Sequence, residues 1–261
     1  MSRTQLRYRA LPTSQANVFY HEAGASSAPV ILLLHGFPSL SHQFQNPIPI
    51  LATKYRVLAP DLPGFAFTTV PDDFQYTFDN LATVISEYLD DLQITKLSNG
   101  NAYDEGLGAF WDQVRELWDS GNNSHVHAKL ASGLLSFEVT KWQYEEGTPA
   151  GQVIAPESYH LDYALLQRPG NAEIQLDLFW DYGKNLPLYH KFQECFRHSR
   201  VPLLAVWGKN DQIFVPPGAE AFRRDLPDAE VHLLDAGHFA VETETERIGE
   251  LILNFLGKNN I

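Results

Sequence analysis

The chain has 261 residues, 44% of them hydrophobic, with ordinary glycine and proline content, so it can bury a full core and disorder is not its default state. A formal net charge of -13 argues against a nucleic-acid partner, because no Lys/Arg cluster is available to neutralise a run of phosphates. No stretch approaches the roughly 20 apolar residues of a spanning helix, and residues 1–10, polar with three arginines, resemble neither a secretory signal nor a membrane anchor.

The single cysteine, Cys195, can form no internal disulfide, which makes a reducing compartment, the cytoplasm, the expected location. Its apolar neighbours predict an inert, half-buried thiol.

Two alternating segments open the chain, at residues 6–11 and 18–21, separated by a turn-rich stretch. They predict an antiparallel hairpin at a sheet edge. Residues 30–34 are a continuous apolar run ending in His35-Gly36-Phe37-Pro38, the pattern of a strand buried on both faces and followed by a loop. Residues 56–59 repeat the pattern and end in Pro60-Asp61-Leu62-Pro63-Gly64. Between residues 78 and 92 the apolar positions Phe78, Leu81, Ile85, Tyr88, Leu89 and Leu92 form a helical stripe with Thr77 as its cap. Alternating strands and helices predict an α/β fold with a mostly parallel sheet and helices on both faces.

From residue 103 to 190 the buried-strand signal gives way to a tryptophan-rich helical stripe (Phe110, Trp111, Val114, Leu117, Trp118) and irregular segments, a candidate helical lid. Residues 201–207 and 230–234 restore the strand pattern, and residues 243–256 read as a closing helix with a Thr243/Glu246 capping box. The expected organisation is a core built from residues 1–101 and 199–261, with the lid inserted at 102–198. Of the remaining polar residues, Asp104 reads as a cap or early residue of the first lid helix. His125 and His127, in a polar stretch without nearby carboxylates or thiols, read as solvated loop residues and not as metal ligands. No metal or cofactor site is expected.

Four motifs stand in one order: His35-Gly36-Phe37-Pro38, Asp61-Leu62-Pro63-Gly64-Phe65, Trp207-Gly208-Lys209-Asn210-Asp211 and Asp235-Ala236-Gly237-His238-Phe239. In order and spacing the chain resembles α/β-hydrolases, closest to the epoxide hydrolase and haloalkane dehalogenase branch. The resemblance covers nearly the whole length, including the lid. It implies an acid at Asp211, a histidine base at His238, an oxyanion donor in the backbone N–H of Phe37, and lid tyrosines, Tyr163 and Tyr182, as candidates to bind the substrate, a small organic molecule.

Two departures stand out. Ala66 occupies the second glycine of the Asp-x-Pro-Gly-x-Gly pattern. Between Lys96 and Tyr103, where the family has a strand, a nucleophile elbow, a helix and a further strand, this chain has only Leu97-Ser98-Asn99-Gly100-Asn101-Ala102. No G-x-S-x-G occurs anywhere, and Asp181-Tyr182-Gly183, which mimics the branch's Asp-x-Gly elbow, follows a lid-helix pattern and not a buried strand. The segment missing by this comparison amounts to roughly 30 residues.

Loss of a nucleophile removes about a millionfold of turnover, so the resemblance implies a hydrolase family protein with little or no activity of its own. It also leaves central strand positions of the sheet vacant, one of which residues 97–101 could fill. Two other readings stay open: a non-catalytic protein that binds a small ligand in the lidded pocket, and a truncated isoform or gene model of an active hydrolase. Oligomeric state is not legible.

Overall fold

The computed structural model describes residues 5–92 and 102–261. Residues 93–101, which include most of the stretch where the nucleophile segment is expected to be missing and the residues that could refill the sheet, lie outside the described residues.

β1 (Arg7–Pro12) and β2 (Asn17–Ala23) form the expected antiparallel hairpin, in register from Arg7 opposite Glu22 to Pro12 opposite Asn17. β2 pairs antiparallel with β4 (Arg56–Pro60), and β3 (Val30–Leu32) pairs parallel with β4, giving a four-stranded sheet in the order β1-β2-β4-β3. β5 (Leu204–Gly208) and β6 (Glu230–Leu234) pair parallel in a second, two-stranded sheet. Among the described residues no strand bridges the two sheets.

The alternation of side chains along each strand sorts them between two layers of helices. On β4, Leu58 packs with Val84, Ile85 and Tyr88 of α2 (Phe78–Asp91), whereas Val57 and Ala59 pack with Ile48 and Leu51 of α1 (Pro47–Leu51) and with Ile252 of the C-terminal helix. α2 starts as expected, with the Thr77 hydroxyl accepting from the Asn80 N–H at 3.2 Å.

The lid is made of α3 (Asp112–Asp119), α4 (Ser124–Gly133), α5 (Phe137–Glu145), α6 (Pro156–Leu166) and α7 (Asn171–Tyr182). Its own core gathers Trp111, Val114, Leu117, Leu130, Leu134, Leu176 and Phe179. Ala102 and Tyr103 pack against Ala205 and against Phe222 of α9 (Pro216–Asp225), as does Phe196 of α8 (Tyr189–Ser199). α10 (Ala240–Thr243) and α11 (Thr245–Lys258) close the chain. No helix among the described residues is long and apolar enough to cross a membrane.

Four expectations are corrected. β3 is half-buried along its length and not enclosed on both faces, because β4 is its one paired neighbour among the described residues. The Thr243/Glu246 capping box does not form: Thr243 ends α10, its hydroxyl donates to the Ala240 carbonyl, and α11 begins only at Thr245. Cys195 is exposed, since α8 turns Tyr189, Gln193 and Phe196 inward and Cys195 falls off that face. His125 and His127 lie on α4 and not in a loop; His127 Nδ1 sits 3.4 Å from a Glu173 carboxylate oxygen.

Candidate active site

The carboxyl ends of β5 and β6 carry the two turns that matter. They are laced together by the Lys209 N–H to the Leu234 carbonyl (2.8 Å) and the Asn210 N–H to the Ala236 carbonyl (3.1 Å). So close an approach needs glycine: a Cβ on Gly208 would stand 2.1 Å from the Gly237 carbonyl oxygen, and one on Gly237 would stand 1.9 Å from that of Glu146 at the end of α5. The lacing brings Asp211, from the first turn, against His238, from the second.

His238 Nδ1 lies 3.0 Å from Asp211 Oδ2. The other carboxylate oxygen, Oδ1, accepts the backbone N–H groups of Ile213 (2.8 Å) and Phe214 (3.0 Å). Asp211 is buried, and an acceptor held this way fixes the histidine proton on Nδ1. The basic lone pair is therefore on Nε2, which no described side chain bonds. The imidazole is half-buried, stacked along Phe214 at 5.9 Å and edge-on to Phe239 at 5.1 Å. Such a pair can take a proton from a water or hydroxyl at Nε2, while the carboxylate stabilises the imidazolium that forms.

Both residues line a cavity of about 530 Å³ beneath the lid. Its wall is mostly apolar, with Phe65, Phe110, Phe179 and Ile213 among it, and includes no lysine or arginine among the described residues. Leu34, two residues past the end of β3, Val206 of β5 and Ile248 of α11 also line it, so the cavity reaches down towards the sheet layer.

The other residues singled out by sequence separate into two groups. Phe37 lines the cavity, packs edge-on against Phe179 at 4.7 Å, and its backbone N–H has no hydrogen-bond partner among the described residues. Tyr182 also lines it, sharing a 2.9 Å hydroxyl contact with Tyr189 and packing its ring 4.5 Å from that of Trp111. Tyr163 is not on the wall; it packs against Phe137 at 5.3 Å within the lid. Asp181 serves structure, as its place on α7 predicts: one oxygen accepts the Phe78 N–H at the start of α2 (2.7 Å) and the other pairs with Lys184 (2.6 Å). Asp104 opens a short 3-10 turn, residues Asp104–Gly106, instead of a lid α-helix.

Several further residues at the site were given no role by the sequence, although His35 and Asp61 each open one of its motifs. His35 is buried, and burial lowers its pKa, keeping it neutral. Its Nδ1 donates to the Gly36 carbonyl at 3.0 Å and its Nε2 accepts the Leu62 N–H at 2.9 Å, so it braces the first two loops and is not a second base. Asp61 ties the same loops by accepting the Ser41 and Phe67 N–H groups at 2.9 and 3.1 Å. Gln143 and Trp111 line the cavity; a lone glutamine inside a lid helix and a tryptophan in an apolar stripe look like ordinary packing positions in sequence.

A family model described as the α/β-hydrolase fold matches residues 29–101 and 124–245. An uncharacterized hydrolase of Saccharomyces cerevisiae is 41% identical over 272 aligned positions, covering 93% of this chain and 94% of its own. A haloalkane dehalogenase 2 of Mycobacterium tuberculosis is 34% identical, covering 95% of this chain and 94% of its own. Among solved structures, a haloalkane dehalogenase of Bradyrhizobium elkani superposes with a TM-score of 0.76 at 19% identity, covering 97% of this chain and 98% of that one.

Proposed function

The chain belongs to the α/β-hydrolase fold family, and from that premise we propose that it keeps the acid and base of a hydrolase of small organic substrates, of epoxide hydrolase or haloalkane dehalogenase type, without the nucleophile they serve. Asp211 is the acid, His238 the base and the Phe37 N–H one oxyanion donor. With no nucleophile to form the covalent intermediate, His238 has no ester to hydrolyse, and this chain turns over little or no substrate.

The observation that carries the reading is the His238–Asp211 pair itself: Nδ1 is held at 3.0 Å while Nε2 has no side-chain hydrogen-bond partner among the described residues. Two further observations support it. The sheet stands in two parts that no described strand bridges. The alignment with the yeast hydrolase runs over 272 positions, longer than the 261-residue chain, so it contains positions where this chain has no residue. Turnover assays with epoxide, haloalkane and ester panels test the reading; substantial hydrolysis of any of them refutes it.

The largely apolar cavity beneath the lid favours a second reading, a protein that binds a small ligand without transforming it. Genomic sequence around the codons for Lys96 to Ser98 separates both from a truncated form of an active enzyme. An in-frame stretch there encoding a buried strand and an Asp-x-Gly elbow assigns the function to the longer protein. A reducing compartment, the cytoplasm, suits the exposed lone Cys195.

A further inference from the structure

An imidazole whose proton is fixed on Nδ1 has uses besides hydrolysis. Asp211 holds Nδ1 of His238 at 3.0 Å, which leaves the lone pair on Nε2, and no described group bonds that nitrogen. Nε2 is also open. Among the described residues six side-chain nitrogens and oxygens are both unpartnered and closed to water, and Nε2 of His238 is not one of them. The imidazole belongs to the cavity wall, with its side chain 19% exposed. Phe214 lies along one of its faces and Phe239 meets it edge-on, and both phenylalanines line the same cavity. An oriented base therefore stands in largely apolar surroundings, where it is less hydrated than in bulk water.

The charges on the wall restrict what that base can act on. Among the described residues the wall carries no lysine or arginine, and its one carboxylate is that of Asp211. Asp211 balances the charge of His238 when the imidazole takes a proton. No cation is present to hold an enolate or carbanion left behind on the substrate. The negative charge must then leave with a departing group, which makes elimination the proton transfer that this wall suits.

We propose that His238 acts as a general base toward carbon, and that the cavity takes a neutral, largely apolar molecule with an acidic C–H next to a leaving group. Nε2 takes the proton, and the C–H electron pair becomes a new π bond. The bond to the leaving group breaks with its electrons on the departing atom. The imidazolium then passes the proton to water, so that no oxidant, reductant or covalent intermediate is required. The proposal rests on the reading that His238 serves no nucleophile in this chain, because a nucleophile bonded to Nε2 would occupy the lone pair.

The test substrate is 5-nitrobenzisoxazole, a neutral molecule whose C3–H is removed as its N–O bond breaks, giving the coloured 2-cyano-4-nitrophenolate. It is assayed with the intact chain, His238→Gln and Asp211→Asn, with thermal melts recorded in parallel. Saturable elimination is expected, slowed by deuterium at C3 and reduced about a hundredfold or more in His238→Gln. A comparable loss is expected in Asp211→Asn. The amide oxygen can still accept the Ile213 and Phe214 N–H groups, but the amide nitrogen donates to Nδ1 and moves the ring proton onto Nε2. A wild-type rate no higher than that of a cooperatively melting His238→Gln overturns the proposal. If His238→Gln does not melt cooperatively, the same comparison with Asp211→Asn decides. The reading beneath it fails separately, through hydrolysis of an epoxide, haloalkane or ester, since the benzisoxazole contains none of these groups.

Discussion

The rings of Tyr144 and Phe239 lie face to face, their centroids 3.7 Å apart and their planes 3° from parallel. Tyr144 is on lid helix α5 and Phe239 follows His238, so this contact ties the lid directly to the turn that carries the base. The Tyr144 hydroxyl donates to the buried Asp162 carboxyl of α6 at 2.6 Å, and burial holds the pKa of that carboxyl well above the usual range.

Removing the ring and removing the hydroxyl have different consequences. Tyr144→Ala deletes the stack and opens a cavity, with an expected loss of about 3–5 kcal/mol. Tyr144→Phe keeps the stack and takes only the donor from Asp162, an expected loss of about 1–3 kcal/mol. Urea denaturation of the two variants checks the order; equal losses would mean that the ring contact adds nothing.

Stability is expected to depend on pH through the seam between α6 and α10. Glu242 accepts from the Ser158 hydroxyl at 3.2 Å, and burial, with Glu157 nearby, raises its pKa to about 7. In the unfolded chain it titrates near 4.5, so between these values the native state holds the extra proton and stability falls as pH rises through the window. His21, whose pKa burial lowers to about 4, acts in the opposite sense between there and 6.5, as does His35. Glu242→Gln isolates the acid: it is expected to match the wild type near pH 4 and to be more stable at pH 8. A difference in Tm between variant and wild type that stays constant from pH 4 to pH 8 would contradict this.

Ala66 has a φ of +40°, in the left-handed region, at the position where the family pattern carries glycine. A Cβ there costs about 1–2 kcal/mol, partly offset by the greater freedom glycine has in the unfolded chain. Ala66→Gly is expected to stabilise the protein by about 0.5–1 kcal/mol, a rise of a few degrees in Tm. A fall in Tm would show that the loop is relaxed around alanine.

The site was more legible in the sequence than the sheet around it. Asp211 and His238 follow strands in short turns whose glycines, Gly208 and Gly237, let the two turns approach closely, and the motifs mark both turns in the sequence. Asp181 was separable from a nucleophile because its helical periodicity is local information. Tyr163 was not: helical spacing puts it on a lid helix but does not say which face meets the cavity, and the Phe137 contact decides that. The exposure of Cys195 escaped for a similar reason, since an apolar neighbourhood in sequence is not an apolar face in space. Strand β3 reads as enclosed from composition alone, because burial is a property of its neighbours and not of its own residues.

The central claim, an acid–base pair without a nucleophile, is tested most directly by intact-protein mass spectrometry of His238→Gln. Where the nucleophile is a carboxylate, removing the base stops hydrolysis of the covalent intermediate while leaving its formation intact; a hydroxyl nucleophile needs the base for its attack, so the activated ester is also incubated with the wild-type protein. After incubation with an epoxide, a haloalkane and an activated ester, the unmodified mass is expected in every case. A stoichiometric adduct with any of them, mapped to one carboxylate or hydroxyl, would reveal a working nucleophile and contradict the account.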